Sequence, residues 1–134
     1  MKRLALALIA TLALAPAAPA QNYMTGDEVA KAVSGNTGLI SHATPAGTRT
    51  ETTVLFRPDG TLRMRQVTKA LSQNIVRDGV WQVFSGQFCY RTARDIMWIC
   101  NKFQRLADDR LRMSDGITDL NAEVRIQKGN TAKL

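Results

Sequence analysis

The chain has 134 residues, 45% of them hydrophobic, and 18 Lys and Arg against 11 Asp and Glu. That length is one domain's worth, and the charge is strongly basic. Two cysteines without a C-x-x-C spacing and a single histidine argue against a redox-active or metal-binding pair, so neither a metal nor a cofactor is expected.

Lys2 and Arg3 precede an eleven-residue apolar run, Leu4 to Leu14, and Ala18-Pro19-Ala20 follows as an A-x-A cleavage site. This order predicts a cleaved export signal over residues 1–20 and one β-rich domain over 21–134, starting at Gln21. The run is shorter than the about 20 residues needed to cross a bilayer as a helix, and no second one follows. The expected location is therefore periplasmic or secreted, with no transmembrane segment in the mature chain. Without Lys2 and Arg3 the chain keeps 16 cations, 11 of them Arg, against 11 carboxylates. A basic face in the cytosol would suggest nucleic acid. Outside it, an unknown protein or an anionic envelope component is the better expectation, beside the plain reading of a solvated basic surface.

Residues 21–35 read as a short helix. Thr25 and Glu28 form a capping box, Met24 and Val29 stand at hydrophobic-staple positions, and Gly35 suits a left-handed end cap. Val29 and Val33 give it one narrow apolar stripe. From Thr37 the period becomes two. Strands over Thr48–Phe56 and Leu62–Lys69 flank the hairpin loop Pro58-Asp59-Gly60, which sets Phe56 beside Leu62 and Val54 beside Met64. Arg63, Arg65 and Thr53 then fall on the opposite face.

A second unit is expected to begin at Asp78-Gly79, with strands Val80–Phe84, Gln87–Thr92 and Ile96–Phe103 joined at Ser85-Gly86 and Arg94-Asp95. A third hairpin joins Arg110–Ser114 to Ile117–Gln127 through Asp115-Gly116, placing Leu111 opposite Leu120 and Arg112 opposite Asp119. Residues 128–134 read as frayed. Seven or eight short strands after one helix predict a mainly β fold, an antiparallel barrel or a strongly curved meander.

In an oxidising compartment Cys89 and Cys100 are most simply a disulfide across neighbouring strands. Trp81, Val83, Phe88, Tyr90, Met97, Ile99 and Phe103 share the expected core face. The disulfide shares the other face with Phe84, Arg91, Ile96 and Trp98. A sheet apolar on both sides needs a second cover, and the Val29/Val33 stripe is the expected one. The functional alternative is a binding patch of Arg91 and Trp98 with Arg63 and Arg65, since Trp and Arg dominate interface hot spots.

No catalytic motif stands out. His42 lies between Ile40 and Thr44 without a recognisable partner, and Asp59, Asp78 and Asp115 each precede a glycine in a turn setting. Asp108-Asp109 reads as a loop. No G-x-S-x-G elbow, P-loop, H-E-x-x-H or dinucleotide fingerprint is present.

Thr25-Gly26-Asp27-Glu28-Val29, Ser34-Gly35-Asn36-Thr37, Pro58-Asp59-Gly60, Gly79-Val80-Trp81 and the two cysteines together resemble an uncharacterised family of small exported bacterial domains. More loosely, the Gly-x-Trp strand and cysteine pair are similar to single-disulfide periplasmic barrels that inhibit secreted proteases, and the Gly-x-Trp strand to lipocalins. The expected function is an exported, non-enzymatic binding module. Protease inhibition is the alternative mechanism, and a small hydrolase is the alternative of another class.

Overall fold

The computed structural model describes residues 22–43, 46–114 and 121–134; the expected export signal and the Asp115-Gly116 turn lie outside them. One helix, α1 (Gly26–Val33), precedes eight strands. These are β1 (Thr37–Ala43), β2 (Arg49–Phe56), β3 (Thr61–Thr68), β4 (Gln73–Phe84), β5 (Gln87–Thr92), β6 (Ile99–Ala107), β7 (Arg110–Ser114) and β8 (Asn121–Gln127). Each strand pairs antiparallel with the next, and β8 returns to β1, so the sheet is a closed barrel. Closure leaves no edge strand exposed to pair with another chain.

Local chemistry explains the elements. Thr25 and Glu28 cap α1 reciprocally: the Glu28 N–H donates to the Thr25 hydroxyl and the Thr25 N–H to the Glu28 carboxylate. In the β2–β3 hairpin Gly60 takes a positive φ, and Asp59 accepts from both the N–H and the hydroxyl of Thr61. That double donation holds the Asp59 carboxyl below its usual range. Phe56 faces Leu62 and Val54 faces Met64, as the turn requires. Ser85 and Gly86 both have positive φ, the requirement of a tight two-residue hairpin.

Five expectations need correction. Asp78-Gly79 is not a turn, because β4 runs straight through it for 12 residues. Gly79 serves a close approach instead: a Cβ there would collide with the Arg91 carbonyl oxygen of β5. β6 begins only at Ile99, since Thr92 and Asp95 bend the chain after β5, and Ile96 and Met97 project outward with exposures of 94% and 76%. Leu111 faces Val124 and Arg112 faces Glu123, four residues beyond the expected register. A shift of four is even, so Val124 still points inward, whereas a shift of one would have reversed every side chain.

The fourth correction concerns α1. Val29 and Val33 are buried, but within the barrel among Val54, Phe56, Leu62, Phe88, Phe103, Leu111 and Val124, and not against the disulfide. Only three residues, 34–36, separate the helix from β1, too short a tether to carry it around the outside. The helix closes one barrel end, where the Gly26 N–H donates to Gly86 O, Met24 N–H to Phe103 O and Gly35 N–H to Phe56 O. Residues 128–134 are not frayed either: Thr37 Oγ1 donates to Gly129 O at 2.7 Å, and Gly129 N–H donates to Asn36 Oδ1 at 3.1 Å.

Candidate functional site

With α1 filling one end, the inward rows of the strands enclose a cavity of about 220 Å³ toward the other. Its floor is apolar, built from Val33, Val54, Phe56, Leu62, Phe88, Phe103 and Val124, and its walls include Ile40, Met64, Tyr90 and Met113. Toward the mouth the same rows turn polar: His42 from β1, Thr52 from β2, Gln66 from β3, Arg77 from β4 and Thr92 from β5, with Asp95 just beyond. An apolar chamber with a few polar groups at one side is the usual form of a small-molecule site.

Arg77 is the unusual member. Along β4 the inward row is Ile75, Arg77, Gly79, Trp81 and Val83, so a half-buried arginine stands on the row that faces the barrel interior. Its Nε is buried and has no hydrogen-bond partner. Asp95 lies close enough for Arg77 to help hold its carboxyl low, but the larger cause is Thr92, which donates from its hydroxyl at 2.7 Å and its N–H at 2.8 Å. Burial, together with the Asp95 charge, pushes the Tyr90 phenol above its usual range, while a hydrogen bond with Asn101 acts the other way. Tyr90 is therefore a neutral hydroxyl at ordinary pH.

The aromatic floor is tightly interlocked. Phe88 meets Phe56 and Phe103 edge-on at 5.8 Å and stacks against Trp81 at 5.5 Å. The Trp81 indole N–H donates to Arg57 O at 3.0 Å and to Thr61 O at 3.1 Å, tying the floor to the β2–β3 hairpin.

The residues expected from sequence lie elsewhere, on the outer face of the sheet, where Cys89 is nonetheless fully buried. Cys89 and Cys100 face each other in register and form a disulfide with a Cα separation of 4.1 Å. The Arg91 guanidinium lies over the Trp98 ring at 5.1 Å. Arg63 and Arg65 share that outer face, separated from Arg91 by β4; Arg63 reaches Asp78 at 3.8 Å between exposed side chains. Trp98 stays 36% exposed. The four patch residues thus share one face without forming one contact cluster. Among the described residues, no group of three His, Cys, Asp or Glu is placed to hold a metal, and no helix is long and apolar enough to cross a membrane.

His42, noted from sequence only as an isolated histidine, reaches the cavity mouth, and Asp95, assigned to a turn, stands on its rim. Arg77 was missed because the second unit was expected to begin at Asp78-Gly79, which left Arg77 outside every expected strand although β4 starts at Gln73. The usable signal was its parity: Arg77 alternates in step with Trp81 and Val83. No protein family, curated protein or solved structure matches the chain.

Proposed function

We propose that this chain is an exported, non-enzymatic binding module that holds a small molecule inside its barrel, acting in the periplasm or cell envelope. The observation that carries the reading is the cavity itself. A barrel of this size could have filled its interior with side chains, yet its inward side chains leave a cavity of about 220 Å³ above an aromatic floor and beneath a polar mouth. The export-signal pattern of residues 1–20 and the Cys89–Cys100 clamp support the location. An unknown protein or anionic envelope component would meet the outer face that carries Arg63, Arg65, Arg91 and Trp98.

Native mass spectrometry of the protein isolated from its own cells tests the binding reading. A non-covalent adduct of small-molecule mass is expected, and it should be lost in Val54→Phe, which fills the chamber. An adduct that persists in that variant, or its absence from the unaltered protein, would count against a ligand in the barrel.

A second reading has its own observation, His42 and Asp95 at the same mouth. A small hydrolase would use that histidine as its base, and the recovered ligand would then be cleaved on incubation. Its cleavage by the unaltered protein but not by His42→Ala would favour catalysis over binding.

A further inference from the structure

The geometry points to a ligand of a particular class: a compact amphipathic monocarboxylate, whose acid group takes the free Nε–H of Arg77 while its apolar body lies on the aromatic floor. This inference rests on the reading of the barrel as a small-molecule binder and adds what the molecule must look like.

The first argument is the unsatisfied donor. Arg77 Nε is buried without a partner, and a guanidinium cannot shed its proton to escape the penalty as a lysine can. A buried donor left unpaired is costly, so the position calls for an acceptor from outside the chain. Asp95 does not supply it. Its carboxylate accepts from the Thr92 hydroxyl and N–H, and it forms no ion pair with Arg77. The planar guanidinium fork matches a carboxylate better than a single hydroxyl or carbonyl oxygen.

The second argument is size. An apolar cavity of about 150 Å³ accepts benzene. At about 220 Å³ this chamber takes an aromatic ring or short chain with a few additional heavy atoms, and it excludes a long acyl chain or a bilayer lipid. Phe88 and Phe103, with Met64 and Met113 above them, give that body aromatic faces and adaptable thioethers to pack against.

The third argument is charge count. Asp95 on the same rim repels a second negative charge, so one carboxylate is favoured over a dianionic phosphate ester of equal size.

Calorimetric titration of the oxidised protein with phenylacetate, benzyl alcohol and phenyl phosphate tests these points, with Trp81 fluorescence as a second readout because its ring stacks on Phe88. Phenylacetate should bind at least about tenfold more tightly than either competitor. In Arg77→Met that preference should vanish while benzyl alcohol still binds, and Arg77→Lys should restore part of it. Retention of benzyl alcohol binding also shows that the variant is folded. Equal binding of acid and alcohol, or a preference that survives Arg77→Met, overturns the inference and leaves the binding reading intact. Failure of all three probes to bind overturns the inference, while the adduct on the protein from its own cells decides the binding reading.

Discussion

Asp95 and Tyr90 occupy the same part of the barrel and give it opposite responses to pH. The Asp95 carboxyl is held below its usual range by two donations from Thr92, with Arg77 adding to them. Its folded pKa lies below its unfolded one, so its stabilisation is complete above the ordinary carboxylate range and is lost as pH falls through the lowered value. Asp59 follows the same sign through Thr61. The unfolding temperature, followed by circular dichroism, should therefore fall between about pH 5 and about pH 2, and Asp95→Asn together with Asp59→Asn should flatten that fall. A slope in the double variant equal to that of the unaltered protein would contradict the assignment. Tyr90 acts at the other limb. Its phenol is raised by burial, so above about pH 10 the unfolded chain ionises first and stability drops, an effect Tyr90→Phe should remove.

At the scale of elements, α1 is both a capped helix and a plug. Its boundaries were legible in the sequence because the Thr25–Glu28 box and Gly35 act on their immediate neighbours. Its docking site was not, since that depends on a barrel end created only when residues far apart in sequence meet. The apolar stripe said that Val29 and Val33 would be buried, but carried no information about which apolar surface would receive them. The tether did: three residues between α1 and β1 confine the helix to the end where β1 begins. Thr25→Ala should lower stability by about 1 kcal/mol through the lost cap. Val33→Ala should cost roughly 2 kcal/mol and, because Val33 forms part of the cavity floor, should also enlarge the chamber. Urea unfolding measures both, and a Val33→Ala cost no greater than that of the cap would mean that the helix rests on the barrel without filling it. The β5–β6 disulfide closes a short loop, 11 residues apart in sequence, and its removal should cost about 3 kcal/mol in the same assay.

For the molecule as a whole, the turn chemistry made the β2–β3 and β4–β5 hairpins legible, while Asp78-Gly79 misplaced the start of β4 and the β7–β8 register lay four residues away. The cavity was not legible in this way. It is a difference between the volume the strands enclose and the volume their inward side chains fill, and no single residue encodes it. The seam that closes the barrel, β1 against β8, joins residues some ninety positions apart, such as Gly38 and Ile126. Here the chain adds a clasp. Asn36 Nδ2 donates to Ala32 O at the end of α1, while Asn36 Oδ1 accepts the Gly129 N–H. Next to it, Thr37 is fully buried; its hydroxyl donates to Gly129 O and accepts from the Thr131 N–H at 3.3 Å. Helix end, first strand and C-terminal tail are thus tied at two adjacent side chains, with the seam directly beside them. Thr37→Val keeps the shape and removes both hydrogen bonds of that hydroxyl, leaving a buried carbonyl and N–H without their partner, at a cost of about 1–3 kcal/mol. If the clasp closes the barrel, the loss will not be uniform. Amide exchange should quicken first along β1 and β8, where the seam opens, while β3 and β4, paired over eight successive residues away from it, keep their protection. Equal acceleration in both places would mean that the tail stabilises the fold globally and that the seam holds by its own ladder.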